Sequence, residues 1–314
     1  EAFYNTGKLY NLVIPNQVKE VGYRAFFNSS TSYTSIYVET LFVPELWNPQ
    51  WTNKNANQVH YGVKFSSDFV YNLTEQNSIR IVGYVGDEIE LTIPNQIEGK
   101  NVTEIGSYAF AYNQNIMGIR LSETITTIKT YGIVGVRNLR YLIIPNSVTT
   151  LENNSIYPIT HESSSIVGFT QIYFQRSKPS SCEWWCFQEG QFSLVHFNVD
   201  IDNVFIKDNL QYIRHTNSVT VTGYMNQVKD VTIPNQIDGR DVTKIGNLAF
   251  IWSGIENLIL PESLIEIGTL AFHEILIKSL ELPSKLSIIG IGAFSENEIL
   301  EVVYIPKSVM IIGE

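Results

Sequence analysis

Hydrophobic positions along this chain return in one phrase. "LVIPNQV" at 12–18, "LIIPNSV" at 142–148, "LILPESL" at 258–264, "LELPSKL" at 280–286 and "VYIPKSV" at 303–309 share an alternating apolar run closed by proline. In better copies an Ile-Gly and then an Ala-Phe follow, as in "IGSYAF" at 105–110, "IGNLAF" at 245–250 and "IGIGAF" at 289–294. Alternation puts Leu142 and Ile144 on one side and Ile143 on the other, the period of a short strand. Pro145 has no amide hydrogen and is expected to end the ladder. Gly106, Gly246 and Gly290 are expected to permit a turn that a side chain would obstruct. Ala admits close backbone approach, and Phe fills the middle of a coil.

The phrase recurs at fixed intervals. Ala2-Phe3 precedes Ala25-Phe26 by 23 residues, and Ala249-Phe250, Ala271-Phe272 and Ala293-Phe294 follow one another at 22. Gly132-Ile133 and Ser155-Ile156 continue the series after Ala109-Phe110 in degenerate letters. A single coil of this length cannot bury its own apolar edge. Stacked coils can, with strands about 4.8 Å apart along the stack. Lys129 and Glu152 stand where other copies carry the turn glycine, so wider turns are expected there.

A longer period overlies the short one. "TIPNQIEGKNVTEIGSYAF" at 92–110 returns as "TIPNQIDGRDVTKIGNLAF" at 232–250, an offset of 140, and Gly83-Tyr84 returns as Gly223-Tyr224. "SIY" at 35–37 matches "QIY" at 171–173, and "VHY" at 59–61 matches "VHF" at 195–197, both at an offset of 136. A cassette of coils, an irregular segment and further coils has been duplicated. The irregular segments, 39–88 and 175–227, hold alternating runs such as "FVYNL" and "SVTVTGY". They read as short β-hairpins that project from or interrupt the stack.

The full unit, L-x-x-L-x-I-P-x-x-V-x-x-I-G-x-x-A-F, resembles the BspA-type leucine-rich repeat, and the "GY…TIPNQIxGxxVTxIGxxAF" cassette and the "SIYVET…PELWNPQW…VHYG" segment resemble stretches of bacterial surface proteins of that family. The resemblance implies an α/β leucine-rich-repeat solenoid, a strand-rich, right-handed coil of about 22–23-residue repeats with two irregular β-hairpin insertions. It implies one continuous array over 1–314, secreted or displayed on the surface of a bacterium.

Composition narrows the function. A net charge of −10 and a pI near 5.1, with no Lys/Arg cluster, argue against a general nucleic-acid binder. No apolar run reaches the roughly 18 residues of a membrane helix, so direct membrane insertion is not expected. The 17% charged and 12% aromatic residues fit a folded β-rich chain. Because the first residue falls inside a coil and the last follows "IIG", the expectation is a segment of a longer array, with capping coils, signal and anchor outside it.

Catalytic chemistry has little to draw on. Cys182 and Cys186 in "PSSCEWWC" stand where the first cassette has Trp47 and Trp51. A local disulfide and two free thiols are both open, while a metal site lacks a second ligand pair. His60 and His196 occupy matched cassette positions among apolar residues, which points to duplicated strand positions. His161, His215 and His273 sit in unrelated contexts with no recognisable triad. "DIDNVFIKDN" at 200–209 lacks the glycine and terminal glutamate of a calcium loop. No phosphate-binding or dinucleotide glycine pattern occurs. Asn28, Asn72, Asn101 and Asn153 head glycosylation triplets that matter only in a eukaryotic secretory route. No cofactor and no metal are expected.

Surface is what remains. The middle residue of each strand, Val13, Tyr37, Thr92, Arg120, Ile143, Tyr173, Thr232, Ile259, Glu281 and Tyr304, is expected on the open face of the sheet. Two explanations fit this column: ordinary strand preference with neighbour pairing, or a binding strip, with Tyr37, Arg120, Ile143, Tyr173, Ile259 and Tyr304 as its candidate residues. Trp47, Trp51, Trp184 and Trp185 are a second candidate, able to stack on a sugar, enter a partner's pocket, or lie buried as a plug. The resulting expectation is a non-enzymatic adhesion module for a macromolecule. Its expected partner is a protein, of the host's extracellular space or another cell surface. A passive spacer and a glycan-binding or glycan-cleaving module are the alternatives.

Overall fold

Each L-x-I phrase forms a short parallel strand, because alternation lets one face bury while the backbone pairs with the neighbouring coil. The structure, a computed structural model, describes residues 1–6, 11–27, 35–54, 58–111, 113–157, 170–177, 193–227 and 229–314. The fold is a strand-rich leucine-rich-repeat solenoid with repeats of about 23 residues. Among the described residues there is no α-helix, only the 3₁₀ turn Ile201–Asn203. The phrases between strands are too short, and too rich in turn residues, to close a helical span.

The chain forms two compact units. One is built on Glu1–Arg137 with Pro145–Ile159, the other on Asn138–Ile144, Thr160–Lys178 and Gly190–Glu314. In the first unit Leu12 pairs with Ile36 and Ile36 with Val59, and Leu91 pairs with Ile119. In the second, Leu142 pairs with Ile172 and Ile172 with Val195, while Val231 pairs with Leu258 and Leu280 with Val303. The Ile-Gly phrase makes another parallel ladder on each unit. It runs Ile105, Ile128, Leu151 in the first and Ile245, Ile267, Ile289, Ile312 in the second.

Between these ladders the Ala-Phe turns also stack. Phe250 donates its amide to Ala271 and Phe272 to Ala293, each at 2.8 Å. The residue before the alanine takes the left-handed conformation, with φ of 59° at Tyr108, 59° at Leu248 and 52° at Leu270. The turn points the phenylalanine inward. Phe250 and Phe272 stack nearly parallel at 5.2 Å, and Phe272 and Phe294 at 5.5 Å, down the centre of the second unit. Several prolines open the return by accepting at their carbonyl the amide three residues on, as Leu264 donates to Pro261 and Leu286 to Pro283.

Glycine is required for a different reason from the one the motif suggests. Gly268 and Gly290 are not left-handed. A Cβ on Gly268 would lie 2.6 Å from the Asn247 nitrogen, and one on Gly290 would lie 2.6 Å from the carbonyl carbon of Gly268. The neighbouring coil's backbone excludes the side chain, rather than the curvature of the turn. Lys129 and Glu152 also do not widen their turns. Their amides donate to Ile105 and Ile128 at 2.9 and 3.0 Å, as Gly106 donates to Ile81 at 2.7 Å. Their side chains instead pair with each other at 2.9 Å.

The irregular segments 39–88 and 175–227 contain the expected hairpins. Lys64–Ser66, Phe69–Leu73 and Ile79–Tyr84 form an antiparallel meander, and Val204–Lys207, Leu210–Arg214 and Ser218–Tyr224 repeat it. They do not project. The last strand of each extends the Ile-Gly ladder in parallel, with Ile81 opposite Ile105 and Val221 opposite Ile245. Burial decides this, since Ile79, Ile81, Val219 and Val221 are all fully enclosed.

Candidate binding surface

The middle column of the strands splits into exposed and covered positions. Ile259 and Tyr304 are 62% and 73% exposed, Val13, Thr92, Thr232 and Glu281 are also exposed, and Arg120 is half-buried. Tyr37, Ile143 and Tyr173 are buried at 1% or less, so their placement on the open face is corrected. The hairpins are the cause in two of the three. Tyr37 packs with Val63, Val70 and Val82 in a cluster of its own. A Cβ on Gly83 would overlap its hydroxyl, so the hairpin strand must carry glycine for the ring to fit. Tyr173 shares a 2.6 Å hydrogen bond with the hairpin residue Thr222. Ile143 lies opposite Tyr173 in register and is enclosed beside it.

Each covered tyrosine stacks on the duplicated histidine of the next strand. Tyr37 and His60 are 5.6 Å apart, and Tyr173 and His196 are 4.8 Å apart at 15°. Burial pushes both tyrosine hydroxyls well above their usual range and lowers both imidazoles to about 4. His196 shares a 2.7 Å hydrogen bond with Gln171, whereas the buried Nε2 of His60 has no partner. These histidines are packed, as their matched cassette positions suggested.

Trp47 and Trp51 are core residues, 3% and 4% exposed, not a free aromatic patch. Their rings meet edge to face at 5.1 Å, Trp51 packs on Phe26, and the Trp47 indole donates to the Val18 carbonyl at 3.3 Å. Trp184, Trp185, Cys182 and Cys186 lie outside the described residues. What the sequence reading passed over is the loop between the strand Ser35–Val38 and Trp47. Leu41, Phe42, Val43 and Leu46 there are exposed, with Phe42 at 80%. The run "LFVPEL" was the available signal, since its apolar residues are too crowded around a proline to form a strand.

The exposed column is suited to contact rather than to covalent chemistry. Thr232 sits opposite Ile259, and Glu281 opposite Tyr304. Charge lies at the strand beginnings, where Lys229 pairs with Glu256 at 2.6 Å and Asn257 donates to Asp230 at 2.6 Å. Among the described residues no group of three or more His, Cys, Asp or Glu could hold a metal ion. No described helix is long and apolar enough to cross a membrane.

The repeat architecture defines a leucine-rich-repeat protein. The BspA type Leucine rich repeat region matches residues 1–42, 90–226 and 223–314 in 6 copies, and the chain belongs to that family. It is similar to a leucine-rich cell surface protein from Faecalibacterium prausnitzii, with 15% identity over 79% of this chain and 89% of that one and a TM-score of 0.29. A leucine-rich repeat protein from Bacteroides ovatus gives 16% identity over 80% and 67%, with a TM-score of 0.36. The pneumococcal vaccine antigen PcpA gives 16% over 80% and 84%, with a TM-score of 0.30. At these scores the superpositions carry no argument about function. No curated protein matches the chain.

Proposed function

We propose that this chain is a non-enzymatic binding module of a bacterial cell surface, and that it docks a protein partner on the exposed column of its second unit. The observation that carries the reading is the exposure of Ile259, 62%, on a regular strand where the flanking Leu258 packs against the core, whereas Tyr304, 73% exposed, lies on a strand whose Val302 and Val303 are exposed with it. A β-branched residue and a tyrosine on a rigid ladder lose little side-chain freedom on binding, which favours an interface. Thr232 and Glu281 supply polar contacts beside them, and the strand-start ion pair Lys229–Glu256 forms a charged margin. Membership of the BspA-type family supports the location and the adhesive role.

The test is surface binding to a panel of purified host extracellular proteins, repeated with Ile259→Arg and Tyr304→Ala. Loss of at least about tenfold in affinity for a partner on either substitution is expected. A partner whose affinity neither substitution changes would remove the column from the interface. No partner from the panel, together with unchanged attachment of cells displaying the chain, would favour a spacer.

A further inference from the structure

The duplicated cassette provides an internal comparison, and one difference between its two copies bears on binding. The first unit holds a cavity of about 290 Å³ between the starts of the strands Asn11–Ile14 and Ser35–Val38, the exit of the hairpin at Tyr84–Gly86, the Ala-Phe turn 108–111 and the residues 113–115. Asn11 and Ser35 face each other in register there, as Tyr141 and Gln171 do in the second copy. Val85 and Ala111 correspond to Met225 and Ile251 at the offset of 140. All four replacements are larger, and Tyr141, Gln171, Met225 and Ile251 are 1–6% exposed. In the first copy Asn11 and Val85 are exposed and Ala111 is half-buried, while Ser35 is buried like its counterpart Gln171. Among the described residues, one copy fills this place with the larger side chains and the other carries smaller ones around a cavity.

The walls of the open copy have a particular chemistry. Every described lining residue is uncharged, in a chain whose residues are 17% charged. Amides and a hydroxyl come from Asn11, Ser35, Asn113, Gln114 and Asn115, and phenol rings from Tyr84 and Tyr108. Asn113 accepts the amides of Asn115 and Ile116 at 2.9 Å each, which fixes the loop that carries these groups. Tyr108 is held against Tyr131 at 5.3 Å. Burial raises the Tyr84 hydroxyl, and the carboxylates of Glu88, Asp68 and Asp87 add to that effect. These carboxylates, next to a lining tyrosine, disfavour an anionic ligand.

We infer that this cavity binds a single neutral sugar ring, such as the end residue of an uncharged glycan, through amide contacts to its hydroxyls and tyrosine contacts to its C–H face. Amides offer donors and acceptors together, as the alternating needs of sugar hydroxyls require, and aromatic rings match the apolar face of a pyranose. The volume is at the lower end of small-ligand pockets, which begin at about 300 Å³, so it admits one ring and not a folded chain. This site lies in the first unit and is independent of the protein-binding column assigned to the second.

The experiment uses the full chain with the methyl glycosides of glucose, galactose, mannose and N-acetylglucosamine as probes and N-acetylneuraminic acid as the anionic comparison, read by saturation-transfer NMR and calorimetric titration. At least one neutral glycoside is expected to bind, and the double substitution Val85→Met with Ala111→Ile is expected to weaken it by about tenfold or more. Those residues already pack in the second copy, and unchanged circular dichroism would verify the fold. Asn115→Ala, an exposed change, provides a second measure should the double variant not fold, with loss of the same sign expected. Tyr304→Ala should leave sugar binding intact. The inference is overturned if no neutral glycoside binds at about 10 mM, if binding survives in the plugged chain, or if N-acetylneuraminic acid binds as well as the neutral sugars. It is equally overturned if uncharged peptides, and no sugars, compete for the cavity.

Discussion

Two aromatic residues from different parts of the repeat, Phe272 of an Ala-Phe turn and Tyr304 of a strand, play opposite parts. Phe272 is enclosed between Phe250 and Phe294, so Phe272→Ala removes a ring from a continuous stack and should cost about 3–5 kcal/mol. Tyr304→Ala strips a side chain that is 73% exposed, and should fall within about 0.5 kcal/mol of the parent. Urea unfolding of both variants checks the pair, and equal costs would contradict the packing described. Gly83→Ala is the sharpest single change in the first unit, because its Cβ would enter the Tyr37 hydroxyl. A destabilisation of about 1–3 kcal/mol is expected, measured in the same way. The histidines give a pH signature. Both have native values near 4 against a usual 6.5, so the unfolded chain takes up protons first as pH falls. Their contribution is complete above about 6.5 and is lost progressively towards 4. The fall in melting temperature between pH 7 and pH 5 should therefore be smaller in the double variant His60→Gln, His196→Gln, and an identical fall would refute the buried neutral imidazoles.

At the scale of elements, the hairpins are the consequential feature. An antiparallel meander would ordinarily leave an edge exposed. Here its last strand continues a parallel ladder, at a register shift that both copies share, Ile79/Arg80 in the first and Val219/Thr220 in the second. Docking the meander covers Tyr37 and Tyr173, and so divides the strand column into a closed part and an open part. A charge placed beneath the hairpin should undo this. Val70→Asp, at a fully enclosed position in the Tyr37 cluster, is expected to raise the fluorescence of an apolar dye and speed proteolysis within 62–86. Protection equal to the parent would show that the hairpin is not docked on Tyr37.

For the whole molecule, repeat physics sets the expectation. Coils interact with their neighbours, and stability grows with each interface added. Residues 1–314 are expected to unfold as one array, giving a single calorimetric transition whose calorimetric and van't Hoff enthalpies agree. Two resolved transitions would instead make the two compact units independent domains.

The repeated phrase by itself determined the strands, the proline stops, the inward phenylalanines and the family. Each depends on local alternation or on a spacing that recurs within 23 residues. Glycine at 290 was also legible, but its reason was not, because the clash is with backbone from the preceding coil. Only the tertiary structure decided that Tyr37, Ile143 and Tyr173 lie under cover while Ile259 and Tyr304 remain in water. All five share the same strand position in sequence, and Tyr37 and Tyr173 are covered by hairpins docking from dozens of residues away, with Ile143 enclosed beside Tyr173. The same holds for Trp47 and Trp51, which could have been a patch or a plug until the Phe26 layer enclosed them. The cavity was hidden for a related reason, since an empty space between four segments leaves no periodic mark on any of them.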